Sequence, residues 1–146
     1  MVAIITGTGR AFSAGEDVRG MKGLADIGTR GFRRVVRDIH NVFDEIETIE
    51  IPVIAAINGV AAGGGLELAL SCDFRFASNQ AKLGLPENNV GLIPGSGGCS
   101  RLVRTVGLST AKRLVMTAEM VTADRALQMR LIDEVFPPEQ LMEQAF

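Results

Sequence analysis

Tryptophan and tyrosine are absent from these 146 residues, and histidine occurs once, as His40. Without those rings the chain lacks the stacking platforms on which single-stranded nucleic acid is bound. A formal net charge of −2 supplies no pull toward phosphate backbones or anionic membrane surfaces. The two cysteines, Cys72 and Cys99, stand at no metal-ligand or disulfide spacing, and one histidine cannot complete a zinc site with them. They read as buried or partly buried thiols of a reducing cytosol. The longest uncharged run, residues 51–66, is shorter than the ~20 residues a spanning helix needs, and Pro52 and Asn58 interrupt it. The opening "MVAIITGTG" has no basic leader and reads as a strand entering a glycine turn. The expectation is a soluble, cytoplasmic chain with no metal, no nucleic acid and no membrane partner.

What the chain does contain is apolar periodicity broken by glycine. Residues 2–6 form a short apolar run that reads as a buried strand, followed by the glycine-punctuated loop "GTGRAFSAGEDV". Over residues 29–49, Phe32, Val35, Val36, Ile39, Val42, Phe43, Ile46 and Ile49 recur at helical spacing. The polar side of that helix carries Arg30, Arg33, Arg34 and Arg37, a solvated basic face, with His40 among surface residues. "PVIAAI" is a continuous apolar run suited to a doubly covered strand. "LELALS" reads as a short helix, "DFRFAS" as a strand and "AKLGLPE" as an extended segment. Helices are predicted over 99–106, 110–117 and 123–130, with "AEMVT" between the last two, and "LIDEVF" is a last strand. Strands alternating with helices predict an α/β fold with parallel strands.

Several nucleotide and nucleophile motifs fail on inspection. A dinucleotide fingerprint beginning at Gly63 needs glycine at 68, where Leu68 stands, and no glycine cluster carries the Gly-Lys-Ser/Thr of a P-loop. "PGSGG" is one residue short of a nucleophile elbow, and no histidine follows Ser96 to serve as its base. A backbone site remains. In "GVAAGGGLELA" a tight turn and a glycine triplet lead into a helix, leaving N–H groups open to an anion or a developing oxyanion. Tight strand–helix packing explains the glycines equally well. Glu67 lies one turn into that helix, near whatever the N–H groups hold. A second carboxylate, Glu87, follows Pro86 in "GLPENNVG". Two carboxylates beside an oxyanion site suit the addition or removal of water next to a carbonyl, and their repulsion would keep one protonated near neutrality. Spacing alone leaves open whether the two meet.

Four blocks, "AFSAGEDV", "PVIAAINGVAAGGGLELALSCD", "LGLPENNVGLIPGSGGCSRL" and "GLSTAKRLVMTAEMVTADRALQMRLIDEVF", together span nearly the whole chain. In order and content they resemble the crotonase, or enoyl-CoA hydratase/isomerase, superfamily. The resemblance implies a ββα spiral in roughly perpendicular sheets and a coenzyme A thioester substrate without a separate cofactor. It assigns the oxyanion-hole N–H groups to Glu16 and Gly64, coenzyme A contacts to Ala14, Gly15, Asp17 and Arg19, and water placement to Gly95. It makes Glu67 the residue that activates water and Glu87 the one that exchanges the α-proton, which implies a hydratase. The same scaffold hosts enoyl-CoA isomerases and thioester hydrolases. The position of Glu16 is often a small residue in the family, so its side chain is expected to point away from the thioester. Departures at Asn88-Asn89 and Cys99-Ser100 bear on the preferred acyl chain. The resemblance further implies a single domain over 1–146, lacking the family's first strands and last helices. A homotrimer or dimer of trimers is expected for the full-length protein, and a non-catalytic, acyl-CoA-binding or packing role for a truncated one.

Overall fold

The structure, a computed structural model, describes residues 1–17 and 27–146. The chain repeats a strand–strand–helix unit. Strands β1 (Ala3–Thr6) and β2 (Ala11–Ser13) precede α1 (Gly28–Glu47), and β3 (Val53–Ile57) and β4 (Val60–Ala62) precede α2 (Gly64–Leu70). Strands β5 (Phe74–Ser78) and β6 (Lys82–Gly84) lead through a short 3-10 helix, Pro86–Val90, into α3 (Gly98–Val106). Helix α4 (Leu108–Thr117), β7 (Val121–Thr122), α5 (Ala123–Gln128), β8 (Glu134–Phe136) and α6 (Leu141–Gln144) complete the order. Each unit places its first strand in one sheet, ordered β1-β3-β5-β8, and its second in another, ordered β2-β4-β6-β7. All pairs are parallel except β6 with β7. This is the expected α/β spiral, with one antiparallel pair added.

β3 explains why "PVIAAI" carries no polar residue. All five of its residues are buried. Val53, Ala55 and Ile57 face the main core with Leu66, Leu83 and Leu102, while Ile54 and Ala56 face a second cluster with Leu141 and Ala145 beneath α6. A strand covered on both faces has no use for alternation. Asn58 then ties the end of β3 to the preceding unit. Its Oδ1 accepts from the Gly7 N–H at 3.0 Å and its Nδ2 donates to the Gly9 and Ala11 carbonyls at 3.1 and 3.2 Å.

The sequence reading missed three short strands. Their residues read locally as loop (β2), glycine turn (β4) and spacer (β7), yet all three join the second sheet. Runs of two or three residues show no period, and only their partners define them. The α1 stripe also differs from a core-facing one: of its residues only Phe43 is buried, and Phe32 and Val42 remain exposed. Cys72 is buried as expected, whereas Cys99 is exposed.

Candidate active site

The glycine triplet divides into three separate roles. Gly63 has a positive φ of 55°, which side chains rarely adopt, and precedes α2. Gly65 is where β2 and α2 touch: a Cβ there would drive into the Ser13 carbonyl. Gly64 differs from both. An added Cβ would lie no nearer than 3.7 Å to Gly15 Cα and 3.9 Å to the Glu16 nitrogen, so the neighbouring protein does not forbid it. Packing therefore accounts for Gly65, backbone conformation for Gly63, and neither for Gly64.

The Gly64 backbone instead faces the loop after β2. Gly15, at φ 83°, presses that loop against the α2 start so closely that its Cβ would stand 2.8 Å from the Ala62 carbonyl and 3.0 Å from the Gly64 nitrogen. The backbones of Glu16 and Gly64 are thereby neighbours, and both line one cavity of about 590 Å³. As the first residue of α2, Gly64 has an N–H with no intrahelical acceptor. Helix α2 is only seven residues long, so the donors themselves matter more than a macrodipole. Ala14 and Gly15 also line the cavity; Asp17 is exposed and is not among the lining residues. Glu16 is itself an exposed residue. Arg19 lies outside the described residues.

Glu67 and Glu87 both reach this cavity, and their surroundings differ. Glu67 is 3% exposed. Its Oε1 accepts two backbone N–H bonds, from Ser96 and Gly98, each 2.8 Å. The loop before α3 therefore wraps the carboxylate so closely that a Cβ on Gly98 would lie 2.6 Å from Oε1. Burial raises the Glu67 pKa, while the two N–H bonds, Arg101 and His40 pull the other way. Glu87, in the first turn of the 3-10 helix, is half-buried. Its Oε2 is buried with no hydrogen-bond partner, and its Oε1 would be 3.2 Å from a Cβ on Gly63. Burial raises the Glu87 pKa too, and the Glu67 charge adds to that rise.

Gly95 lines the cavity, and a Cβ on it would meet Val36 Cγ1 at 3.3 Å. Sequence reasoning missed the N–H groups of Ser96 and Gly98, which embrace Glu67. Their local signal is the glycine-rich "PGSGG", which by spacing falls one residue short of a nucleophile elbow. Arg101 was missed as well. It is 2% exposed, donating to the Ser96 carbonyl at 2.8 Å, to Asp44 at 2.6 Å and to Glu47 at 3.1 Å. His40, read as a surface residue, is half-exposed and sits 3.5 Å from Asp44. Most of the remaining wall is apolar. Phe32, Val35, Val36 and Ile39 of α1 stand on one side, with Leu92 and Ile93 elsewhere around the cavity. The apolar stripe of α1 thus contributes to the wall of this cavity.

Among the described residues, no group of three or more His, Cys, Asp or Glu is disposed to hold a metal ion. None of the described helices is long and apolar enough to cross a membrane.

Fold and site together define a class: a ββα spiral in which two backbone turns and two carboxylates face one apolar cavity. The family model described as Enoyl-CoA hydratase/isomerase matches residues 1–146. The chain belongs to that family. It is 44% identical over 146 residues to the short-chain-enoyl-CoA hydratase of Clostridium acetobutylicum, covering 99% of this chain and 55% of that protein. Against the crotonyl-CoA hydratase of Syntrophomonas wolfei it is 46% identical over 140 residues, covering 95% and 53%. The crystal structure of an enoyl-CoA hydratase from Bacillus anthracis superposes with a TM-score of 0.91 at 42% identity, covering 99% of this chain and 55% of that one. The chain spans about half the length of the curated relatives it matches.

Proposed function

We propose that the protein carrying this chain hydrates 2-enoyl-CoA thioesters, with Glu67 as general base and Glu87 as general acid. The observation that carries the reading is the unequal treatment of the two carboxylates around one cavity. Burial raises the pKa of both, but at Glu67 two N–H groups and the Arg101 and His40 charges oppose that rise, whereas at Glu87 the Glu67 charge adds to it and the buried Oε2 has no partner. Two acids in unequal environments suit the roles of base and acid.

In this scheme Glu67 takes a proton from water as its oxygen bonds to C3 of the enoyl chain. The C2=C3 electron pair moves onto the thioester oxygen, where the N–H groups of Glu16 and Gly64 receive the charge. Reprotonation at C2 comes from Glu87 as the carbonyl re-forms. Passing the proton from Glu67 back to Glu87 restores both groups, so no separate cofactor is needed. The Gly95 backbone is assigned to placing the water, and Ala14, Gly15, Asp17 and Arg19 to the coenzyme. Such an oxyanion donor contributes about 10²–10³ in rate and each acid–base group about 10²–10⁴. A cytoplasmic location and a homotrimer or dimer of trimers belong to the same proposal, resting on the family resemblance.

The test is hydration of crotonyl-CoA, followed by loss of the conjugated thioester absorbance with product identification. Glu67→Gln and Glu87→Gln are each expected to remove nearly all turnover. Near-normal rates in either variant overturn the assignment. Double-bond migration or free coenzyme A as the sole product would instead indicate an isomerase or a thioester hydrolase.

A further inference from the structure

Arg101 is a buried cation that exchanges no proton in the hydration scheme and enters it only through its charge. Its guanidinium touches two elements at once. Toward the loop before α3, Nη1 donates to the Ser96 carbonyl at 2.8 Å. Toward α1, Nη2 donates to Asp44 at 2.6 Å and to Glu47 at 3.3 Å, and Nε donates to Glu47 at 3.1 Å. Arg104 adds a bond to the same Glu47 at 3.1 Å.

The contact with the loop falls at a telling position. The Ser96 carbonyl belongs to the peptide lying between the two N–H groups that hold Glu67. Gly97, which follows, has φ 94°, and a Cβ on it would collide with Arg101 Nη1. The guanidinium therefore occupies the space that the left-handed glycine leaves. Helix α1 has few other anchors: Phe43 is its buried residue, and Ile46 packs on the core. Its upstream turns carry Phe32, Val35, Val36 and Ile39, the apolar cavity wall. A buried ion pair is weak evidence for stability, because desolvation offsets the attraction. Asp44 and Glu47 are 54% and 35% exposed, so the arginine bears most of that desolvation.

We propose that Arg101 is a positioning residue that locks the acyl-wall helix α1 to the peptide orienting Glu67, so that the carboxylate and the acyl chain share one rigid frame. The inference rests on the hydratase reading and gives Arg101 a mechanical role beyond its charge. Glu67 is faced by Arg101 and Cys99 from α3, His40 from α1 and Glu87 from the 3-10 helix, and of these four Arg101 hydrogen-bonds both the loop and α1.

The test compares the wild type with Arg101→Lys, Arg101→Met and the double variant Asp44→Asn/Glu47→Gln, measuring crotonyl-CoA hydration across pH and thermal unfolding. Arg101→Lys keeps the charge but cannot span the three partners. It should lose about 10²-fold in kcat, the effect of roughly 1 Å of misplacement, with the acidic limb of kcat/KM unmoved. Arg101→Met should lose as much and move that limb to higher pH, since a cation favouring the carboxylate is gone. The double variant alters half-exposed side chains and so keeps the test open if either arginine variant fails to fold. It leaves Arg101 less compensated, and the limb should move to lower pH while kcat falls. A merely structural arginine would lower the melting temperature and leave kcat and the limb where they are in the folded fraction. That result, beside an active wild type, overturns this inference alone. A wild type that does not hydrate crotonyl-CoA overturns the hydratase reading and this inference with it.

Discussion

Replacing Gly98 with alanine isolates the orientation of Glu67 from its chemistry. An alanine Cβ there would lie 2.6 Å from Glu67 Oε1, 2.8 Å from Cγ and 3.0 Å from Cδ. Ordinary contact begins at 3.4 Å, so the carboxylate must withdraw by about 0.8 Å, out of its present alignment with the two N–H groups. The backbone itself does not object. Gly98 opens α3 and is not among the glycines of positive φ, and alanine improves on glycine in helices by up to about 1 kcal/mol. That gain opposes an overpacking cost of about 1–3 kcal/mol, which leaves a domain of ordinary stability folded. Displacement of a reacting group by about 1 Å costs on the order of 10²-fold in rate, or about 2.7 kcal/mol of barrier. Gly98→Ala should therefore lower kcat for crotonyl-CoA hydration about 10²-fold, with KM little changed and the circular dichroism spectrum intact. Unchanged kcat in a folded Gly98→Ala protein would refute the idea that the loop before α3 orients the base.

Two further outcomes follow from the same geometry. Burial holds the folded-state pKa of Glu67 above the ordinary value of 4.5, so the folded chain keeps this proton more tightly than the unfolded chain. Stability from this group is then fully present below pH 4.5 and declines as pH rises through the raised value. The melting temperature of the wild type should accordingly fall relative to Glu67→Gln as pH increases from 4.5, and a pH-independent difference would contradict the burial argument. For the thiols, Cys99 is exposed whereas Cys72 is buried with its pKa pushed up to about 11. Iodoacetamide at mildly alkaline pH should label Cys99 in the native protein and reach Cys72 only on unfolding; mass spectrometry of the peptides reads the order, and native labelling of Cys72 would count against its burial.

The sequence by itself determined whatever is written in local period and residue chemistry. The α1 repeat appeared over 29–49 and the helix runs Gly28–Glu47, because its apolar spacing is a property of neighbouring residues. The unbroken "PVIAAI" announced a doubly covered strand for the same reason. The glycine triplet and Glu67 were legible as a unit, since one helical turn joins them. Tertiary structure decided what no local window contains. Glu67 meets Ser96 and Gly98 across some thirty residues, and Arg101 meets Asp44 and Glu47 across more than fifty. Such contacts leave no period behind, and a buried arginine in "CSRLVRTV" looks like any helix-surface charge. The short strands β2, β4 and β7 exist only through their sheet partners. An apolar stripe, too, encodes only that water is excluded; whether a core or a cavity excludes it depends on where the spiral carries the helix.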